Sequence, residues 1–437
     1  MNRTRRRFFL AAAALAAGGT LALPGWARSA PDLLPPGKAR RVVVVGGGWG
    51  GLAAARHLRA LAPELEVVLL ERQASFFSLP LSNRWLGDSI DGRLLAHDYR
   101  KAAQTFGYTF LQAEVVEIDR AGRSVVCRDG VLGYDWLVLA AGIREDFGGW
   151  FGGDLAAAEL TRRRFGSAWA SAGELPSLKQ RLATFAGGDL VMNIPPQPYR
   201  CPPAPYERAL LIASLIRKRG LKARLLVLDH NPGAPMFRRV FERYTQEIRY
   251  FSDARIMRVD PLAKTLATEF EEFQFTEAIL MPPQRAADLY GQAGLLGKDG
   301  EGRPTGWAAV DPVYLFARDD PGVFVIGDAL GPVSGLFGHY PKTGHLAARL
   351  GRVVAGVITA HARSRDAPRD LPDSECQVYT DFSPPATLRI ESRFRFRGDG
   401  EIEQINKQTA DANPRGEDEV WAKEMFGELL AYRSLAE

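Results

Sequence analysis

A chain of 437 residues has room for two or three domains, and 46% hydrophobic with 24% charged residues is an ordinary globular composition. The formal charge of +5 includes four arginines among the first seven residues, so the rest of the chain is near neutral and implies no nucleic-acid partner. Three cysteines, Cys127, Cys201 and Cys376, are too few for a disulfide scaffold, and neither they nor the six histidines show metal-ligand spacing, so no metal site is expected.

The chain opens with Arg6-Arg7-Phe8-Phe9-Leu10, a twin-arginine pattern, followed by an alanine-rich apolar run to Leu23. Gly25-Trp26-Ala27 offers a signal-peptidase site, so residues 1–27 read as a twin-arginine export signal and 28–38 as a proline-bearing linker. A membrane anchor needs about 20 clean apolar residues. Gly18, Gly19 and Pro24 interrupt this run. The expected location is a bacterial periplasm, where disulfides persist.

Arg41 to Glu71 is the most informative stretch. Val42 to Val45 is apolar on both faces, as a central parallel strand must be. It runs into G-x-G-x-x-G at Gly46, Gly48 and Gly51, then an alanine-rich helix over Leu52 to Leu61 and a strand over Glu66 to Leu70. Glu71 follows that strand, placed to accept ribose hydroxyls. Strand, loop, helix, strand and acid in register predict a dinucleotide site. His57, on this helix, is expected at the surface. Phe76 to Leu86 reads as irregular, and Thr109 to Asp119 with Arg123 to Arg128 as strands of a small crossing sheet. Tyr134 to Ile143 is a buried strand ending in Ala140-Ala141-Gly142, where two-dinucleotide-domain flavoproteins return to FAD.

From about Trp150 the pattern restarts with a strand over Asp189 to Ile194, a helix over Pro205 to Arg219 and a strand over Ala223 to Leu228. Here prolines occupy the loop that would need glycines, and they cannot offer amides to a pyrophosphate, so NAD(P)H is not expected as reductant. Val323 to Asp328 is a buried strand ending in Gly327-Asp328, where an aspartate binds the ribityl chain in FAD enzymes of this class. The helix after it, Gly344 to Val357, would aim its N-terminus at the flavin. Cys376 to Phe382 and Thr387 to Phe396 read as strands, and Glu417 to Ala431 as a closing helix.

The expected fold is α/β, with two Rossmann-like domains and a C-terminal α+β domain. The FAD domain is in two parts, 39–150 and 291–362, around a second domain, 151–290, without an NAD motif; 363–437 closes the chain. The cofactor-binding residues are Gly46, Gly48, Gly51, Glu71, Ala141, Gly142, Gly327 and Asp328. Cys201 sits where the second unit would have its phosphate loop, beside the cation of Arg200, which favours a thiolate. An inert buried cysteine is the competing reading, and it fits Cys127 best. Cys376 lies among charges, and His339 and His345 flank Pro341-Lys342 as weaker substrate-contact candidates.

The motifs VVVVGGGWGG, FFSLPLSN, YDWLVLAAGI, YRCPPAPYERA, MPPQRA, VFVIGDA with YPKTGH, and VWAKEMFGEL resemble those of the flavoprotein subunit of flavocytochrome c sulfide dehydrogenase, a relative of sulfide:quinone oxidoreductases. The resemblance implies a glutathione-reductase-like FAD domain and a redox-active disulfide between Cys201 and Cys376. Sulfide, or a related reduced sulfur compound, would open that disulfide by exchange, and electrons would pass through FAD to a c-type cytochrome. The family's best-known members attach FAD through a cysteine in the segment matching FFSLPLSN; here Leu79 stands between Ser78 and Pro80, so FAD is expected to be non-covalent. No C-x-x-C-H is present, so no haem is expected on this chain. Two alternatives remain. One is a quinone reductase at the membrane surface, docking through Trp421, Met425, Phe426, Leu429 and Leu430. The other is a non-enzymatic flavin-binding accessory protein of a sulfur-oxidation complex.

Overall fold

Val42, Val43 and Val44 have no solvent exposure, and strand Arg41–Val45 runs through the middle of a six-stranded sheet in the computed structural model, which describes residues 30–170 and 172–433. The expected export signal lies outside these residues. The sheet order is Phe316–Ala317, Asp320–Val325, Trp136–Leu139, Arg41–Val45, Glu66–Glu71 and Thr109–Gln112, parallel except for the Phe316–Ala317 hairpin. Burying each valine side chain stabilises the sheet by roughly 1.5–3 kcal/mol relative to leaving it in water.

Two boundaries differ from expectation. The first helix begins at Trp49, inside the glycine motif, and spans Trp49–Leu61. Thr109–Gln112 joins the main parallel sheet beside Glu66–Glu71, and the crossing sheet consists of Val115–Asp119, Ser124–Cys127 and Gly130–Gly133. Phe76 to Leu86 is not wholly irregular either: it contains part of strand Ser75–Phe77 and helix Ser82–Leu86.

The middle of the chain builds a second parallel sheet in the order Ile248–Phe251, Ala223–Asp229, Gly188–Ile194, Glu277–Ile279. Helix Ala204–Lys218 packs beside it. The C-terminal part is an antiparallel three-stranded sheet, Asp373–Phe382, Pro385–Phe396 and Ile402–Asp411, followed by helix Glu417–Leu430. The strand Ile402–Asp411 carries too polar a sequence to be read as a strand.

The apolar stripe that the membrane-surface alternative would use packs instead on its own domain. Met425, Phe426, Leu429 and Leu430 are buried, and Phe426 stacks on Trp49 at 5.8 Å. His57 also departs from expectation: its ring is only 13% exposed and reaches Glu428 of this helix at 3.3 Å. Among the described residues no helix is long and apolar enough to cross a membrane.

Candidate active site

The glycine loop is shaped by two close approaches. Gly46 has φ +102°, and a Cβ there would sit 2.5 Å from the Ala140 carbonyl; a Cβ on Gly51 would sit 1.9 Å from the Gly46 carbonyl. Only glycine lets strand, loop and helix meet this closely. A Cβ on Gly48 would meet nothing within 4 Å, because that position faces a cavity of about 990 Å³. Glu71 stands at the end of its strand, where one carboxylate oxygen accepts from the Gly47 N–H at 2.8 Å and the other from the Gln73 N–H at 2.8 Å.

The cavity wall brings distant segments together. Gly46, Gly48, Glu71, Ala141, Gly142, Gly327, Asp328, Cys201 and Cys376 all line it, as does Leu79; Gly51 lies behind the loop as a packing residue. Thr343 caps helix Gly344–Ala362 by accepting from the Leu346 N–H at 3.1 Å, and Thr343 and Gly344 face the cavity. The long slot from Glu71 past Gly48 to Asp328, with two helix N-termini on its walls, fits a dinucleotide such as FAD. Gly46, Gly48 and the first turn of helix Trp49–Leu61, which holds no acidic residue, would take the pyrophosphate, Glu71 the ribose, and Asp328 the ribityl chain.

Cys201 and Cys376 both line the cavity. Cys201 adopts left-handed φ of +51°, a strained conformation for a side-chain-bearing residue. Its N–H donates to the Lys342 carbonyl at 2.7 Å, and its carbonyl accepts from Ala204 at 3.0 Å as helix Ala204–Lys218 begins. Cys376 is half-buried and comes from the C-terminal sheet. A hydrogen bond to Cys201, then burial, then the charge of Cys201 and Glu207, push the Cys376 thiol well above its usual range. Both thiols are free in this structure, and Cys201 is the strongest influence on Cys376. Cys127 is fully buried and does not line the cavity, and burial raises its thiol to about 11.

Of three charged residues near the pair, Arg200 was anticipated from its place beside Cys201, whereas Glu207 and Lys342 escaped the sequence reading. The Arg200 guanidinium donates to Asp328 at 2.6 Å and to the Trp169 carbonyl at 2.9 Å, tying the cysteine loop to the expected ribityl site. Glu207, buried beside the cavity, accepts from the Tyr379 N–H at 2.8 Å and Asn83 Nδ2 at 2.6 Å; burial pushes its carboxyl up to about 7 against those two hydrogen bonds. Lys342, 4% exposed, lies over the Trp307 ring at 3.9 Å and donates to the carbonyls of Asp328 and Leu330 at 2.7 and 2.9 Å. Burial lowers it to about 7, with Asp328 opposing and Arg200 adding to the shift. Six residues after Cys201 and one after the proline in YPKTGH, Glu207 and Lys342 carry no pattern that marks them as buried.

His339 and His345 do not line the cavity: His339 Nδ1 lies 3.3 Å from the Leu330 carbonyl, and His345 Nδ1 accepts from the Glu375 N–H at 3.0 Å. Among the described residues no cluster has metal-ligand geometry. At the end of the second sheet, the cavity is only about 90 Å³ and is lined by Trp150, Asn193 and His230 among others. The proline loop's amides are already committed there: Gln197 N–H to Asn231, Arg200 N–H to Gln284 and Cys201 N–H to Lys342.

Comparison with known proteins agrees with this architecture. Residues 40–175 match the pyridine nucleotide-disulphide oxidoreductase family model. Residues 176–282 match the model of the central part of the sulfide dehydrogenase (flavocytochrome c) flavoprotein chain. A sulfide dehydrogenase flavoprotein chain from Chlorobaculum thiosulfatiphilum is 50% identical over 44 residues, which cover 10% of this chain and 92% of that sequence. The sulfide-quinone reductase of Aquifex aeolicus is 30% identical over 190 residues, 42% of this chain and 41% of that protein. Ferroptosis suppressor protein 1 of Taeniopygia guttata is 37% identical over 112 residues, 25% of this chain and 29% of that protein, so these longer relatives are matched over less than half their length. The solved structure of the Aquifex aeolicus sulfide:quinone oxidoreductase superposes with a TM-score of 0.69 at 19% identity, covering 90% of this chain and 93% of that one.

Proposed function

The chain belongs to the sulfide dehydrogenase flavoprotein family, and from that membership we propose that it is a periplasmic FAD-dependent oxidoreductase that oxidises sulfide through a Cys201–Cys376 disulfide and passes electrons to a c-type cytochrome. The observation that carries this reading is that Cys201 and Cys376, the one influencing the other most strongly, both line a dinucleotide-shaped cavity. Bound FAD supplies an acceptor for an electron pair that can release electrons singly. FAD is held without a covalent bond, because Leu79 lines the cavity where a linking sulfur would be needed.

Hydrosulfide attacks the Cys201–Cys376 bond, giving a persulfide on one cysteine and a thiolate on the other. A second hydrosulfide removes the outer sulfur as the hydrodisulfide anion, HSS−, leaving a thiol and a thiolate. Closing the pair again releases two electrons and one proton. Glu207, raised to about 7 and set beside the pair, is placed to hold that proton. Arg200, next to Cys201 in sequence, pairs with Asp328 and so fixes the loop that carries the sulfur.

Anaerobic mixing with sulfide tests the half-reaction. The oxidised flavin band of the FAD-loaded protein is expected to bleach, and Cys201→Ser to abolish the bleaching. Flavin that stays oxidised in the wild type would overturn sulfide as the substrate. The likeness to the Aquifex aeolicus sulfide-quinone reductase supports a second acceptor class, quinone. Re-oxidation of the reduced protein by cytochrome c against a soluble quinone separates the two. The burial of the last helix's apolar stripe favours the soluble acceptor. The small second-domain cavity and its committed amides support the absence of NAD(P)H from the cycle.

A further inference from the structure

Strand Ile402–Asp411 is an edge of its sheet, and among the described residues no strand pairs with its outer side. Ten residues is long for an unprotected edge, since edges are usually shortened, bulged or broken by proline to prevent pairing with another chain. Its hydrogen-bonding direction is fixed. The Glu401 carbonyl accepts from Arg397 across the hairpin at 2.8 Å, whereas the Ile402 carbonyl points out of the sheet, where it accepts from Ser334 Oγ at 2.6 Å. Antiparallel ladders alternate, so the amides and carbonyls of Gln404, Asn406 and Gln408 also face outward.

The exposed side chains follow a second pattern. Ile405 is 44% exposed, with Glu403 and Lys407 two residues to either side on the same face. Toward its own sheet, Glu403 pairs with Arg395 and Lys407 lies 3.7 Å from Glu391.

We propose that this edge pairs with the same edge of a second copy of the chain, antiparallel about Ile405, joining two three-stranded sheets into one of six strands. In that register Gln404 and Asn406 exchange backbone hydrogen bonds across the twofold axis, and Ile405 meets its own copy. Glu403 faces Lys407 of the second copy, and Lys407 faces Glu403. Each cross-sheet row then alternates in sign: Arg395, Glu403, the second copy's Lys407, the second copy's Glu391. Shifting the axis by one residue sets Ile405 against a charge, and centring it on Glu403 or Lys407 opposes like charges. Self-complementarity of this kind is what a twofold contact requires. A strand edge buries less than the roughly 1,200 Å² of stable interfaces, so the dimer is expected to depend on concentration.

Sedimentation velocity of the FAD-loaded chain at low salt, over a hundredfold concentration range, tests the pairing. The wild type is expected to shift from monomer to dimer. Lys407→Glu, which turns two symmetry-related attractions into repulsions, is expected to raise the dissociation constant about tenfold or more. The double variant Glu403→Lys with Lys407→Glu is expected to restore it. Both substituted side chains reach solvent, and unchanged far-ultraviolet dichroism would show that the variants fold. A monomer at every concentration, or a dimer indifferent to Lys407→Glu, would overturn the proposal. Failure of the double variant to rescue would overturn the register.

Discussion

Arg200 is the residue on which the two halves of the site hinge, since it precedes Cys201 and holds Asp328. Arg200→Gln removes one charge-assisted hydrogen bond, and FAD affinity is expected to fall about tenfold, read by fluorescence titration of the apoprotein. The same variant should move the flavin midpoint potential to a more negative value, a change that a merely structural loss would not produce. Leu79 makes a separate test. Acid precipitation of the wild type is expected to release all of its FAD, whereas Leu79→Cys should retain a fraction on the protein. Retention by the wild type would sink the non-covalent reading. The glycines, Glu71 and Asp328 were legible because their roles follow from spacing within one strand and its loop. Glu207 was not, because what raises its carboxyl is burial with Asn83 on one side and Tyr379 on the other, both far away in sequence.

Among the elements, the closing helix Glu417–Leu430 does more than end the chain. Asp418, 4% exposed, receives Arg84 on both oxygens at 3.0 and 3.1 Å, and Asp418 and Trp421 are part of the cavity wall. Asp418→Ala leaves a largely buried guanidinium without its partner and is expected to lower stability by about 3 kcal/mol. Thermal melts would read that loss, and faster proteolysis within 417–430 would locate it. The helices and buried strands could be read from sequence because their apolar periods are regular. Thr109–Gln112 was misplaced because four residues, two of them exposed, carry too little pattern to say which sheet they join. Ile402–Asp411 was missed because, apart from Ile402, Ile405 and Ala410, its residues are polar and show no apolar alternation.

For the molecule as a whole, buried charge sets the dependence of stability on pH. Burial raises Glu207 and Glu145 from 4.5 to about 7. The folded state therefore binds more protons than the unfolded chain between those values, and stability falls as pH rises through the window, by up to roughly 3 kcal/mol per group. Lys342 acts with the opposite sign. Its lowered value, about 7 against 10.5, means that the unfolded chain binds the extra proton, so stability recovers as pH climbs above 7. His97, lowered to about 4 by burial, opposes the two carboxyls below pH 6.5, so the test is differential: in denaturant titrations from pH 5 to 9, Glu207→Gln is expected to gain stability relative to the wild type as pH rises toward 7. A variant that follows the wild-type slope would contradict the burial of Glu207.

The cavity wall begins near Val45 and is completed only by Cys376, Asp418 and Trp421. During synthesis the glycine loop, its helix and both parallel sheets emerge before the last wall exists. Tight retention of the cofactor is thus a property of the finished chain, and a yellow molecule is one whose C-terminal sheet and helix have already docked. A chain that stopped short of residue 373 would lack Phe426 against Trp49, the wall made by Asp418 and Trp421, and the second sulfur of the cavity.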